Sequence, residues 1–236
     1  MKYEHMIEGR FLSRPNRFIA HVEVQGEQVT AHVKNTGRCR ELLIPGVTVL
    51  LQHHPGALEA GRKTEYSLIG VYKGDILINM DSQAPNQVAE EWLRTGGFTR
   101  ETGIAVSDIH REVTYGNSRF DLAFLADGEQ AYMEVKGVTL EVDHVAKFPD
   151  APTERGIKHV KELALASRRG LRAYILFVIQ MKGITSFMPN MDTHPAFGEA
   201  LQEASQAGVH IMAYDCIVTK EELSIDKSIE VFIHKN

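Results

Sequence analysis

Three residues near the middle of the chain have types and spacing suited to phosphodiester chemistry: Asp121, Glu134 and Lys136. Two carboxylates can hold a hard divalent cation, Mg²⁺ or in its place Mn²⁺, together with water and phosphate oxygens. A lysine two positions beyond one of them can orient a water or stabilise charge on a phosphate. The plain alternative is that both acids face solvent and Lys136 neutralises one of them. A D-x12-E-x-K spacing is short and does not by itself choose between the two.

The elements that would position these residues favour a shared site. "RFDLAFLADGEQAYMEVKG" reads as two alternating strands joined by Asp127-Gly128, a strong hairpin signal. With those two residues in the turn, Ala126 faces Glu129 and Asp121 faces Glu134, with Cβ atoms roughly 5 Å apart. Phe120, Leu122, Phe124, Ala131, Met133 and Val135 then form one apolar face. Asp121, Glu134 and Lys136 share the other. Like charges facing each other repel, and a bound cation would reverse the sign of that interaction.

Further elements follow from pattern and punctuation. "FIAHVEV" and "VTAHVK" alternate around the turn "QGEQ" and predict a hairpin in which Phe18 belongs to the core. Strands are expected over 47–52, 64–72 and 75–80. Five short strands in the first part suggest a small closed barrel of the oligonucleotide-binding (OB) type. Beyond it, "APNQVAEEWLRTGG" reads as a helix with Pro85 in its first turn and Gly96-Gly97 as its stop. Strands near 109–115, 119–125 and 130–136 come next. A helix capped by Thr153 and stopped at Gly170 leads into the apolar strand "AYILFVIQ", which is patterned for burial on both faces. A third helix from "HPAFGEALQEASQAG" precedes a last strand over 209–218. The expectation is an α/β protein with an N-terminal barrel over 1–82 and a mixed-sheet α/β domain over 83–236.

Composition narrows the function classes. Hydrophobic residues make up 43% and charged residues 24%, as in a globular chain. No apolar run approaches a membrane span, and "MKYEHMIEGR" lacks the apolar core of a leader peptide. Cys39 and Cys216 lie far apart and offer neither a disulfide framework nor a zinc signature. A cytoplasmic setting is therefore expected. The net charge of −5 argues against a nucleic-acid binder that is basic throughout. The charge is uneven, however. Residues 1–80 carry 10 Lys and Arg against 8 Asp and Glu, a net of +2, and the remainder 16 against 23, a net of −7.

The basic residues of the first part are clustered. Arg10, Arg14 and Arg17 interleave with Phe11 and Phe18, with no acid between Gly9 and Val22, and "KNTGRCR" adds Lys34, Arg38 and Arg40. Arginines hold phosphates and aromatics stack on bases, so these six are candidate nucleic-acid contacts. A solvated loop over buried phenylalanines is the alternative. No helix-turn-helix or zinc-finger pattern argues for sequence-specific reading. Near the carboxylates, Glu91 is preferred to Glu90 as a third metal ligand because it lies beside Trp92 on the inner helix face. Lys158 and His159, in "TERGIKH", are candidates for the scissile phosphate, though Glu154–Lys158 and Arg155–His159 also have the spacing of surface i,i+4 pairs.

Asp121 followed by Glu134-Val135-Lys136 resembles the PD-(D/E)xK motif of restriction-endonuclease-like nucleases, with Phe120 in place of the leading proline. More broadly, the chain resembles the sugar fermentation stimulation protein A family. The matching stretches are "RFLSRPNRF", "HVKNTGRCREL", "YGNSRFD", "MEVKGVTL", "FPDAPTERGIKH" and "EASQAGVHIMAY", spread over nearly the full length. The resemblance implies an OB-like first domain, a nuclease-like second domain and DNA binding. Two functional readings follow. One is a DNA-binding protein with a Mg²⁺-dependent site in which Asp121, Glu134, Lys136 and Lys158 act. The other is a largely sequence-nonspecific DNA-binding regulator of sugar-metabolism genes that does not cut. DNA is the expected partner, a homodimer is left open, and no membrane is expected.

Overall fold

The computed structural model describes residues 1–35, 37–116 and 118–233. They divide into two units. The first comprises Met1–Ala84, Gln180–Gly183 and Cys216–Ser224; the second comprises Pro85–Ile179, Ile184–Asp215 and Ile225 onwards.

In the first unit, β1 (Met6–Asn16), β2 (Ile19–Val24), β3 (Glu27–Val33), β4 (Thr48–His53), β5 (Tyr66–Lys73) and β6 (Ile76–Asn79) form one sheet in the order β3-β2-β1-β4-β5-β6. A parallel pairing of β3 with β5, Ala31 opposite Tyr66 and Val33 opposite Leu68, closes β1–β5 into a five-stranded barrel. Closure removes the sheet edges and encloses Val22, Ala31, Val33, Val49 and Leu51, all fully buried. β1 was not expected as a strand. Its polar and basic residues hide the alternation, and its register with β2 shifts at Phe11/Ser13 and again at Ser13/Asn16. It packs close to its neighbour: a Cβ on Gly9 would lie 2.5 Å from Val22 Cγ1 and 2.9 Å from the Glu23 carbonyl oxygen. Phe18 corrects a second expectation. It sits 53% exposed in the β1–β2 turn, and Phe11, 2% exposed, is the aromatic that enters the core.

The second unit is a mixed α/β domain. It begins with α1 (Ala84–Arg94) and α2 (Gly97–Thr102), followed by β7 (Val106–Tyr115), β8 (Ser118–Ala126), β9 (Glu129–Val138), β10 (Leu140–Val142) and β11 (Val145–Phe148). Then come α3 (Glu154–Arg168), β12 (Arg172–Ile179), β13 (Ser186–Pro189), α4 (Pro195–Gln206), β14 (His210–Val218), β15 (Leu223–Ser228) and β16 (Glu230–Val231). The main sheet runs β15-β14-β12-β9-β8-β7. β7, β8 and β9 are antiparallel neighbours, and β9, β12 and β14 are parallel. Every residue of β12 after Arg172 is buried, as its unbroken apolar run requires.

The second sheet of this unit, β10-β11-β13-β16, and helix α2 were not anticipated. Strands of two to four residues carry too little period to read. Gly96 does stop α1, with φ +74°, but the chain turns straight into α2. Phe98 of α2 packs edge-on against Phe124 and Tyr174, at 5.7 and 5.4 Å between ring centres, covering the apolar face of β8 and β12. Among the described residues no helix is long and apolar enough to cross a membrane.

Candidate active site

The β8–β9 hairpin turns at Asp127 and Gly128, both at positive φ (+51° and +82°), as a two-residue turn of this hand needs. The pairing that follows sets Ala126 opposite Glu129 and Leu122 opposite Met133, the register read from the turn. Asp121 comes just beyond the last paired residue. There its Oδ2 accepts the Val135 backbone N–H at 2.8 Å, and its Oδ1 accepts from Asn86 Nδ2 of α1, also at 2.8 Å. Both oxygens of this half-buried carboxylate are thus fixed in place.

Glu134 is 1% exposed and lies on the sheet face opposite Met133 and Val135. Its Oε1 accepts two hydrogen bonds, one from Lys136 Nζ at 2.5 Å and one from His159 Nδ1. Its Oε2 is buried and has no partner among the described residues. His159 is delivered by α3. Thr153 caps that helix by accepting the Gly156 N–H at 3.0 Å, and Gly156, His159, Val160 and Leu163 form the buried stripe that faces the sheet.

Of the two candidates on α3, the structure therefore brings His159 to Glu134. Lys158 lies off the stripe and is exposed. From α1 it is Asn86 that reaches Asp121. Glu91 stands five residues on, about 140° around a helix of 3.6 residues per turn, and its Oε1 accepts from Gln87 at 3.2 Å. Glu90 is engaged by Arg94 at 2.8 Å and Arg111 at 3.4 Å. Asn86 carries no charge, so nothing in the sequence singles it out. His159 was legible only as one of a pair.

The two carboxylates differ in their electrostatics. Burial, reinforced by the charge of Glu134, pushes the Asp121 carboxyl above its ordinary value. Burial also opposes ionisation of Glu134, but the hydrogen bond from His159 and the charge of Lys136 outweigh it and hold its carboxyl below the ordinary value. Among the described residues, no group of three or more His, Cys, Asp or Glu is arranged to hold a metal ion. The pair still suits a hard cation: two carboxylates of opposed tendency, one with an orphaned buried oxygen, supply the donor type that Mg²⁺ or Ca²⁺ takes alongside water.

The six candidate nucleic-acid contacts of the first unit divide into two sets. Arg10 forms a two-pronged pair with Glu23 at 3.0 and 3.1 Å. Lys34 is paired at 2.6 Å with the buried Asp81. Arg14 donates to four backbone carbonyls, those of Gly37 and Arg38 at 2.8 Å and those of Arg17 and Asn35 at 2.7 Å. Arg17, Arg38 and Arg40 lie at the surface, and among the described residues their guanidinium groups make no hydrogen bond or ion pair.

Two family models match the chain: the sugar fermentation stimulation protein RE domain over residues 83–222, and the SfsA N-terminal OB domain over residues 12–80. A sugar fermentation stimulation protein homolog from Desulfitobacterium hafniense is 56% identical over 223 residues, 94% of each chain. Another, from Clostridium beijerinckii, is 48% identical over 233 residues, covering 99% of this chain and 100% of the other. Among solved structures, Pyrococcus furiosus SfsA in complex with Ca²⁺ superposes with a TM-score of 0.86 at 28% identity, over 98% of both chains.

Proposed function

The chain belongs to the sugar fermentation stimulation protein family, and from that premise we propose that it binds DNA in the cytoplasm and cleaves phosphodiester bonds at the Asp121–Glu134 pair with a divalent cation. The observation that carries this reading is the orphaned, buried Oε2 of Glu134, one strand away from Asp121 and beside Lys136. The spacing of Asp121, Glu134 and Lys136 on neighbouring strands of a mixed sheet resembles the PD-(D/E)xK pattern, which supports the reading. The Pyrococcus furiosus relative was solved in complex with Ca²⁺, which supports a site for a hard cation.

Asp121 and Glu134 would hold the cation, which when bound would polarise a phosphate oxygen and lower the pKa of a coordinated water. Asn86 and the Val135 N–H fix the angle of Asp121, so its geometry is set before any ligand arrives. Lys136 supplies a positive charge beside the reacting phosphate and can orient the attacking water. His159 holds Glu134 in place through Oε1 and leaves Oε2 available.

The test incubates the purified protein with labelled single- and double-stranded DNA in Mg²⁺, Mn²⁺ or EDTA, beside Glu134→Gln and Lys136→Ala. Metal-dependent fragments that disappear in both variants are expected. A second reading, a DNA-binding regulator that does not cut, is favoured by the lack of a third acidic or histidine ligand among the described residues. Binding without cleavage under every metal condition would select it.

A further inference from the structure

The first unit holds a cavity of about 550 Å³ whose lining includes Arg14, Arg17, Arg38 and Arg40 and no carboxylate. That volume lies within the ~300–1,000 Å³ typical of small-ligand sites. Its floor is apolar, made by Leu43, 8% exposed, and the exposed Pro45, with the core residue Phe11 behind them. Arg17, Arg38 and Arg40 line it as three surface cations without a counter-ion among the described residues.

Arg14 has a different part. Its four terminal N–H groups are spent on the carbonyls of Arg17, Asn35, Gly37 and Arg38, which ties the β1–β2 turn to the loop after β3. Those carbonyls accept from the guanidinium, so their negative ends are engaged by Arg14. Arg14 is thus a positioning residue, and Arg17, Arg38 and Arg40 remain as the donors available to a ligand.

The geometry points to a binding site for one unpaired nucleotide unit, its phosphate held by Arg17, Arg38 and Arg40 and its base against Pro45 and the edge of Leu43. The inference rests on the reading of this unit as a nucleic-acid binder and narrows it. In a duplex the base faces are stacked and the phosphates line the outside, so a duplex can offer the arginines its charge but cannot offer the floor a base. A single strand offers both. A free nucleoside phosphate has the same chemistry.

The experiment follows a fluorescent oligothymidylate by anisotropy in EDTA, where cleavage cannot enter the readout. The comparison probes are a blunt duplex of the same length, thymidine monophosphate and inorganic phosphate. The strand is expected to bind about fivefold or more tightly than the duplex, since only the strand adds a base contact to its phosphate contacts. Thymidine monophosphate should displace it where inorganic phosphate at the same concentration does not. Arg17→Ala, Arg38→Ala and Arg40→Ala should each weaken strand binding and reduce the slope of log affinity against log salt by about 0.7. Their melting temperatures should match the parent's because the side chains lie at the surface; Arg38→Glu, which reverses the charge, should weaken binding further.

Equal affinity for strand and duplex, or unchanged binding in all three alanine variants, overturns the proposal. Calorimetric binding of thymidine monophosphate that Arg38→Ala abolishes, without strand binding, upholds the cavity and assigns it to a free nucleoside phosphate. A protein that binds the strand but never cuts with any metal upholds the cavity and sinks the cleavage reading. One that cuts with no strand preference does the reverse.

Discussion

Burial and hydrogen bonding pull the two carboxylates in opposite directions, and that gives them opposite effects on stability. The folded pKa of Glu134 is depressed. Its stabilising contribution is complete above the ordinary carboxylate range and is lost as pH falls through the depressed value. The folded pKa of Asp121 is raised, so its contribution is present at low pH and is lost as pH rises through the raised value. Asp121→Asn should therefore melt at or above the parent's temperature at neutral pH, with the advantage shrinking on acidification. A clear drop at neutral pH in a thermal-shift series would show that the ionised carboxylate is well accommodated. Glu134→Ala should behave differently. It leaves Lys136 and His159 facing a buried void, and breaking a buried pair costs about 3–5 kcal/mol, a fall of roughly 10 °C in a unit of this size. A fall of less than about 2 °C, well under that range, would mean that water replaces the carboxylate at little cost.

What the sequence discloses about the elements depends on how strongly each is punctuated. The β8–β9 hairpin was legible down to its register because Asp127-Gly128 permits only a tight turn of one hand, and the register then decides which side chains share a face. α3 was legible from Thr153 to Gly170 for the same reason. β1 was hidden because arginines and two register shifts break its alternation. His159 was ambiguous because i,i+4 spacing names a neighbour on the same helix and is blind to a carboxylate arriving from a strand. The cap is where α3 can be tested as an element. Thr153→Ala removes the acceptor of the Gly156 N–H and should cost about 1 kcal/mol. Fraying of the first turn would loosen His159 in the second, so cation-dependent cleavage should fall while strand binding by the first unit is unchanged. Equal loss of both activities would mean that the variant unfolds rather than frays.

At the scale of the whole molecule, the two proposed ligands have separate addresses, one in each unit. Binding to the native state alone adds RT ln(1 + [L]/Kd), about 2.7 kcal/mol at a hundredfold excess over Kd. That free energy should appear as slowed amide exchange where the ligand contacts are made. Ca²⁺ should protect the peptides covering Asn86, the β8–β9 hairpin and the first turns of α3, with EDTA reversing the effect and Asp121→Asn abolishing it. Oligothymidylate in EDTA should protect the segments around Arg17 and from Gly37 to Pro45, and Arg38→Ala should weaken that protection. Measured side by side by hydrogen exchange and mass spectrometry, the two footprints should not overlap, since no residue of one site is shared with the other. Ca²⁺ protection spread evenly over the chain, or confined to the first unit, would remove the cation from the carboxylate pair. The unpaired Oε2 of Glu134 would then be a cost of packing rather than a place kept for a ligand.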